Sequence, residues 1–226
     1  MAENTECAVV AARLSHSFDA RKPILRDLTF QVGQGECLAI YGENGTGKTT
    51  LLRILAGLLR PSSGQVSVFG LAPASPRLRS RIGWSPAHDN SFFSRLTGLE
   101  NLIYFGSLYG LSRERSEWIA RAWSEILPLT DALSAPFYLC STGMKQSLSV
   151  CRALLHEPEL VLIDEPTRGL SPAVQKGLRE ALQKRRPELT LVVAVHGYEE
   201  ALGWNGSVLP VWPRSTGVEY SGEALL

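Results

Sequence analysis

The segment ECLAIYGENGTGKTTLLRILAGLL, residues 36–59, contains an apolar run, a glycine-rich turn and a helical stretch, in that order. The run ECLAIYG is predicted to be a strand, and KTTLLRILAGLL has the apolar spacing of an amphipathic helix. Between them, GENGTGKTT matches the pattern G-x-x-x-x-G-K-[ST] through Gly42, Gly47, Lys48 and Thr49. A strand, a glycine loop and a helix in this order predict a phosphate-binding loop.

The residue types of this loop suit phosphate chemistry. Glycines let backbone N–H groups close around phosphate oxygens, and the helix N-terminus adds its positive end. Lys48 is expected to reach the β- and γ-phosphates, and the Thr49 hydroxyl is expected to ligate Mg²⁺. The alternative is a glycine-rich turn with a solvated lysine. Four specified positions between the correct elements favour the phosphate site.

A second candidate site follows the apolar run LVLIDE, residues 160–165. Such a run is typical of a strand buried on both faces. Asp164, at its end, is expected to hold the Mg²⁺ shell beside the phosphate loop. Because the chain turns at a strand end, Glu165 is expected to face the γ-phosphate and to polarise the attacking water. The alternative, that an acid only caps the next turn, stays open for Glu165.

The rest of the chain alternates short apolar runs with helical stretches, which predicts an α/β fold. We expect a P-loop NTPase core of mainly parallel sheet flanked by helices, with an antiparallel β portion at the N-terminus or sheet edge. Residues 91–136 show helical character and no strand, which predicts an inserted helical lobe between core segments 1–90 and 137–226 of a single domain, 1–226. VLPVW and GVEYSG are expected to be terminal edge strands, since prolines suit an edge.

Net charge, cysteine spacing and the length of the apolar runs exclude several classes of function. The 226 residues carry a formal net charge of +1, so no global field attracts nucleic acid, and no nucleic-acid partner is expected. The four cysteines form no C-x-x-C pair, which favours reduced thiols in a cytosolic protein. Neither a signal peptide nor an apolar run long enough to span a bilayer is found. If the protein works at a membrane, another chain is expected to cross it.

Three further segments complete a family pattern. CSTGMKQ, residues 140–146, resembles the ABC signature usually written LSGGQ, with Ser141 and Gly143 on its second and fourth positions. VHGYEEA resembles a switch-histidine loop through His196, and LSHSF places Phe18 where an aromatic stacks on adenine. Each has a simpler alternative: a helix N-cap at Ser141 or Thr142, a structural histidine, and a core phenylalanine. Together with the two phosphate-site motifs, their order and spacing favour the functional interpretation, and the chain resembles an ABC transporter ATPase subunit.

The resemblance implies a nucleotide site for ATP and Mg²⁺. Two copies, or a pair of ABC ATPases, would pair head to tail with ATP at the interface. Glu165 would act on water, His196 would contact the γ-phosphate, and closure of the dimer would assemble the site that hydrolysis releases. The implied nucleotide-binding residues are Phe18, Gly42, Asn44, Gly45, Gly47, Lys48, Thr49 and Thr50, with Ser141 and Gly143 from the other copy. The implied catalytic residues are Glu165, His196 and Lys48, and the implied Mg²⁺ ligands are Thr49 and Asp164.

Three positions depart from the family pattern. Ala87 stands where the family usually has glutamine, Ser171 where it has aspartate, and Cys140 where it has leucine. Alanine can neither ligate Mg²⁺ nor orient water, which predicts a low turnover rate. Because Lys48, Asp164, Glu165 and His196 are intact, we expect slow but real ATP hydrolysis. A second hypothesis gives the role of the missing glutamine to His88. The alternative is a degenerate subunit that binds ATP and hydrolyses it weakly or not at all.

The type of transporter follows from what the chain lacks. No C-terminal regulatory domain, fused membrane domain or second ATPase copy is found, and STGMKQ resembles exporter subunits. We therefore expect an export ATPase for a lipid-linked, glycan or hydrophobic substrate, peripheral at the cytoplasmic face of the inner membrane, with a separately encoded polytopic membrane subunit. The rival is a soluble ABC ATPase acting on ribosomes or DNA.

One stretch of the helical lobe has the spacing of a docking surface. Tyr104, Phe105, Leu108 and Tyr109 share a helical face or its flanks. They are interpreted either as a groove for a short helix of the membrane partner or as the core of the lobe itself. Burial statistics favour the core.

Overall fold

The computed structural model describes residues 7–19, 23–185 and 188–211. The strands are β1 (Cys7–Ser17), β2 (Pro23–Gly33), β3 (Cys37–Tyr41), β4 (Ser63–Val68), β5 (Ile82–Ser85), β6 (Leu160–Asp164), β7 (Thr190–Val195) and β8 (Ser207–Pro210). The helices are α1 (Lys48–Leu55), α2 (Gly98–Leu108), α3 (Arg113–Ser124), α4 (Thr130–Ser134), α5 (Thr142–Leu154), α6 (Pro172–Gln183) and α7 (Tyr198–Leu202). Two compact units result: residues 1–79 with 186–226, and residues 80–185.

The first unit contains an antiparallel sheet in the order β2-β1-β4. Ala11 of β1 lies opposite Phe30 of β2 on one side and Val66 of β4 on the other. Apolar and polar residues alternate along β2, so one face of this strand is buried and the other is exposed. The predicted antiparallel β portion is therefore confirmed.

The first unit also contains three parallel strands. β3 pairs with β7 on one side and with β8 on the other, so that Ile40 lies beside Ala194 and Leu209. β7 is buried along its whole length and β3 except at Tyr41, as expected for a sheet covered on both faces. β8 confirms the edge strand predicted from VLPVW, and Pro210 forms its last residue. GVEYSG lies outside the described residues.

The second unit combines two parallel strands with five helices. β5 pairs with β6 in parallel, with Trp84 beside Leu162. α2 begins with a capping box, in which Thr97 and Glu100 satisfy each other's backbone N–H groups. In residues 91–136 the described elements are α2, α3 and α4, and this stretch holds no named strand, in agreement with its helical character.

These elements confirm the α/β fold class. The described strands include five parallel ones, three in the first unit and two in the second. The part of the chain that the structure describes holds no helix with the length and apolar character needed to cross a bilayer.

Candidate functional site

The phosphate loop in the first unit connects β3 to α1. Lys48 is the first residue of α1, and its ammonium group donates to the carbonyl oxygens of Gly42 at 2.6 Å and Glu43 at 2.9 Å. The Thr46 hydroxyl donates to the Glu43 carbonyl as well. These bonds hold the Lys48 ammonium group inside the curve of its own loop, next to the start of α1.

Glycines make this curve possible. A Cβ on Gly42 would lie 2.1 Å from the carbonyl oxygen of Val211, and one on Gly47 would lie 2.7 Å from Leu25 Cδ2. Gly47 also has a φ of 112°, in the left-handed region that favours glycine. A Cβ on Gly45 would meet nothing within 4 Å, so the tip of the loop is open on that side.

The other predicted phosphate-loop residues differ in exposure. Asn44 and Gly45 are exposed at the tip, Thr49 is half-buried in the first turn of α1, and Thr50 is buried. An open tip above a buried lysine suits a polyanion, because the N–H groups at a helix start and the ammonium group attract the same charge.

Phe18 lies just after β1, and its side chain is 67% exposed. It is therefore not part of the core, which was the simpler alternative for this residue. The His16 ring meets the Phe18 ring edge-on, with 4.7 Å between the ring centroids. An exposed aromatic ring held in this way can offer a face to a planar base.

His196 follows the last residue of β7 and is exposed. Two residues on, Tyr198 begins α7, and its ring packs against the Tyr41 ring at a centroid distance of 5.4 Å. Because Tyr41 directly precedes Gly42, this contact fixes the His196 segment next to the phosphate loop. The sequence had shown Tyr198 within VHGYEEA without indicating this contact.

In the second unit, two acids end the buried strand β6. Asp164 is 2% exposed, and the Gln146 side-chain amide donates to its backbone oxygen at 3.4 Å. Glu165 comes next with a φ of 52°, a left-handed conformation that is uncommon for a residue other than glycine. The chain therefore turns sharply at Glu165, as predicted for a strand end. The Glu165 side chain is 23% exposed.

Arg168 contacts the segment that carries Ala87, one of the three departures from the family pattern. Its Nη1 donates to the Ala87 carbonyl oxygen at 3.1 Å and lies 2.6 Å and 3.1 Å from the two ring nitrogens of His88. Its Nε lies 3.7 Å from a carboxylate oxygen of Glu165. Arg168 lies outside the motifs recognised in the sequence, where its one signal is a basic residue three positions after Glu165.

The loop of residues 86–92 is anchored at Asp89. The Asp89 carboxylate forms a 2.8 Å ion pair with Arg152 of α5, whose side chain is 13% exposed. It also accepts from the backbone N–H of Ser91 and from the Ser149 hydroxyl. Burial lowers the pKa of Arg152, and the Asp89 carboxylate opposes this shift. A buried charge needs such a partner.

The predicted signature residues begin α5. Ser141 is its N-cap and accepts from the Met144 backbone N–H at 3.2 Å, which confirms the predicted cap. Gly143 is buried, and a Cβ there would lie 2.4 Å from the Gly169 carbonyl oxygen. Close packing therefore requires a glycine at position 143, whatever its part in nucleotide binding.

Ser171 occupies the N-cap position of α6, where its side chain makes no capping hydrogen bond.

Each of the two predicted Mg²⁺ ligands is an oxygen group, the type of ligand that Mg²⁺ prefers. Within the described ranges, no group of three or more His, Cys, Asp and Glu side chains could hold a metal alone. Mg²⁺ usually takes one or two protein ligands and completes its shell with phosphate oxygens and water. The Thr49 hydroxyl and the Asp164 carboxylate are ligands of the required kind.

The predicted docking residues are mostly on the surface. Tyr104, Leu108 and Tyr109 are exposed, whereas Phe105 is half-buried and its ring meets that of Phe92 edge-on. The favoured alternative, that these residues form the core of the lobe, is therefore wrong for three of the four. Helical spacing could not show which face is covered.

Comparisons with known proteins agree with these features. Residues 25–168 match the family model described as ABC transporter. Over 203 residues the chain is 34% identical to the ABC transporter ATP-binding protein NatA of Bacillus subtilis (strain 168), which covers 87% of this chain and 82% of that protein. It is 36% identical over 200 residues to the Nod factor export ATP-binding protein I of Mesorhizobium japonicum, covering 86% of this chain and 57% of that longer relative.

Solved structures show the same fold. A structure described as the ATP binding subunit of an ABC transporter superposes with a TM-score of 0.77 at 29% identity, over 90% of this chain and 85% of that one. The cbiO1 protein of Clostridium perfringens, described as part of the ABC transporter complex cbiONQ, superposes with a TM-score of 0.74 at 25% identity, over 91% and 84%.

Proposed function

The chain belongs to the ABC transporter family of ATP-binding subunits, and on that premise we propose that it hydrolyses MgATP to drive export. The substrate class is lipid-linked, glycan or hydrophobic. The observation that carries the proposal is the corner at the end of β6, where buried Asp164 is followed by Glu165 in a left-handed turn with its carboxylate partly exposed. Residues held in this conformation cluster at active sites, so the turn supports a functional role for Glu165.

Binding of ATP rests on the phosphate loop. Lys48 already lies inside the loop, where it can exchange its carbonyl partners for phosphate oxygens. Phe18 offers an exposed ring for the adenine. Asn44, Gly45, Gly47 and Thr50 belong to the same loop and helix start, whose N–H groups attract phosphate.

Hydrolysis is assigned to side chains at the ends of two strands. The Glu165 carboxylate accepts a proton from the attacking water, and His196 contacts the γ-phosphate. Thr49 and Asp164 would hold Mg²⁺, which would supply charge neutralisation on the phosphate oxygens. Lys48 stabilises the charge that develops on them.

The active form is a head-to-tail dimer or a pair of ABC ATPases. Ser141 and the N–H groups near Gly143 begin α5, a helix of thirteen residues whose N-terminus carries positive partial charge. In the dimer this helix start faces the γ-phosphate that the other copy binds. ATP therefore favours closure and hydrolysis favours opening, which gives a motion that a membrane partner can use.

The membrane partner is a separately encoded polytopic subunit, and the chain acts at the cytoplasmic face of the membrane. Exposed Tyr104, Leu108 and Tyr109 offer the partner an apolar contact on the helical lobe. Export is supported by the similarity to ATPases named for Nod factor export. The family assignment and the transporter relatives argue against the soluble rival that would act on ribosomes or DNA.

The test is ATPase activity of the chain co-purified with its membrane subunit and reconstituted in liposomes. We expect hydrolysis that Glu165→Gln reduces by at least about 100-fold, because the variant keeps the shape of the side chain and loses the base. ATP-dependent movement of a lipid-linked or hydrophobic substrate out of the ATP-containing compartment supports export. Equal activities of wild type and Glu165→Gln contradict the hydrolytic function, and movement in the opposite direction contradicts export.

A second candidate is a degenerate subunit that binds ATP without hydrolysing it. Two departures favour this candidate. Ala87 replaces the usual glutamine and contributes only its carbonyl oxygen, which accepts from Arg168. Ser171 replaces the usual aspartate and carries no charge. This candidate requires a different, competent ATPase in the complex. Its signature is ATP binding with no Glu165-dependent hydrolysis, together with co-purification of a second ABC ATPase.

A further inference from the structure

A cluster in the second unit centres on Arg168, a residue outside every motif that the sequence indicated. The guanidinium lies between the loop of residues 86–92 and the Glu165 carboxylate. On one side Nη1 contacts the Ala87 carbonyl oxygen and the His88 ring, and on the other Nε lies 3.7 Å from Glu165 Oε2. One side chain therefore connects the position of the missing glutamine to the proposed catalytic base.

The chemistry of arginine suits this bridging position. The guanidinium is a planar fork of five N–H donors with no acceptor, so it can serve several acceptors at fixed angles. The Ala87 oxygen, a His88 ring nitrogen and a Glu165 oxygen are all acceptors. A lysine ammonium is a compact point charge without this fork, so it matches several separated acceptors less well.

The loop that Arg168 contacts is itself fixed. The buried ion pair between Asp89 and Arg152 anchors it to α5 at 2.8 Å. Arg152 also donates to the Ser91 hydroxyl and to the Trp84 carbonyl oxygen. Arg168 thus contacts a loop that is held to α5, so its contact with Glu165 can limit the positions that the carboxylate takes.

The backbone of Glu165 also contacts Arg168. Its φ of 52° is held by a tight turn in which the Arg168 N–H donates to the Glu165 carbonyl oxygen at 3.2 Å. Arg168 therefore contacts Glu165 twice. Its backbone N–H closes the turn, and its guanidinium lies 3.7 Å from the carboxylate.

We propose that Arg168 is a positioning residue for ATP hydrolysis, holding the Glu165 carboxylate through its link to Ala87 and His88. The inference rests on the proposed hydrolytic function. Arg168 acts through Glu165 and does not itself bind ATP. His88 acts through Arg168, so it contributes to the same link and does not replace the glutamine at the metal.

The test is steady-state ATPase kinetics of the co-purified transporter with Arg168→Gln, Arg168→Lys, Glu165→Gln and the control Arg121→Gln. The control removes an arginine that pairs with Glu117 at 2.6 Å on the surface of α3. We expect Arg168→Gln to lower kcat by about 10- to 100-fold, because small misplacements of a catalytic group cost that much. KM and ATP binding should change less than about threefold, and Arg168→Lys should be intermediate. Arg121→Gln should match wild type.

A double variant tests the link to the loop. If His88 acts through Arg168, His88→Ala lowers kcat in the wild-type background and has no further effect in Arg168→Gln. Circular dichroism and thermal unfolding check that each variant is folded, and Arg168→Lys provides a second variant if Arg168→Gln unfolds.

The outcomes separate this inference from the function on which it rests. Glu165-dependent hydrolysis with wild-type kcat in Arg168→Gln overturns the inference alone, as does an equal loss of kcat and ATP binding. Hydrolysis that does not depend on Glu165 overturns both. A selective loss of kcat with partial rescue by lysine supports the inference.

Discussion

The phosphate loop of the first unit and the corner around Glu165 in the second unit place their side chains by different means. In the loop, Lys48 bonds to carbonyls five and six residues away, and glycines set the curve. At the corner, Arg168 reaches Ala87, which is 81 residues away. A site built from local backbone contacts is encoded by a short motif, whereas one built from distant side chains is not.

This difference explains what the sequence could predict. Local sequence features were sufficient to predict three parts of the structure, because each depends on neighbouring residues. The motif GENGTGKTT predicted the loop, LVLIDE predicted the strand end, and the alternation of apolar runs predicted the α/β class. The Asp89–Arg152 ion pair and the contacts of Arg168 join segments that come together only in the folded chain. Exposure of Tyr104 and Leu108 depends likewise on which helices pack around α2.

The largest expected effect tests how much a buried ion pair between side chains contributes to the stability of the second unit. Arg152→Met leaves the Asp89 carboxylate buried without its cation, and we expect unfolding to become easier by about 3 kcal/mol. The control Arg121→Met removes an exposed pair and should change stability by about 0.5 kcal/mol or less. Urea unfolding of both variants measures the difference. Equal losses would mean that the buried pair adds no stability beyond that of an exposed one.

The second prediction tests whether close backbone contacts at the glycines determine the structure of the phosphate loop. In Gly42→Ala the new Cβ meets the Val211 carbonyl oxygen, so we expect a loss of about 2–3 kcal/mol. In Gly45→Ala the Cβ meets no atom, and only the φ of 81° opposes it, so about 1 kcal/mol is expected. Urea unfolding ranks the two alanines. A smaller loss at Gly42 than at Gly45 would contradict the close contact.

A third comparison lies within the second unit, between two helix starts. Ser141 caps α5 through the Met144 N–H, whereas the Ser171 side chain makes no capping bond to α6. Ser141→Ala should therefore cost about 1 kcal/mol, and Ser171→Ala about 0.5 kcal/mol or less. Thermal unfolding of the two single variants is the measurement. Similar shifts in Tm would show that Ser141 owes its position to something other than the cap.

The smallest expected effect concerns pH. His156 stacks on Tyr109 with ring centroids 3.8 Å apart, and burial lowers its pKa, against the opposing hydrogen bond to the Ile82 carbonyl. Below its ordinary pKa of 6.5, the unfolded chain binds a proton that the folded chain resists, so stability falls as pH drops through 6.5.

The matched variant for this effect is His156→Gln, which keeps a donor for Ile82 and cannot titrate. Urea midpoints at pH 7.5, 6.5 and 5.5 should fall less steeply in the variant than in wild type. Parallel curves would assign the acid sensitivity to other groups.

The close approach of Gly143 and Gly169 has a consequence for how this family changes over evolutionary time. An alanine at either glycine meets the backbone of the other, with 2.4 Å to the Gly169 oxygen in one case and 2.8 Å to the Gly143 nitrogen in the other. Because the atoms involved are main-chain atoms, relief of the clash requires a shift of the backbone. Selection for a folded protein would therefore keep both glycines in a lineage that had lost ATPase activity. In homologous sequences, change at Glu165 or Lys48 would therefore indicate such a loss more clearly than change at Gly143, which packing alone would preserve.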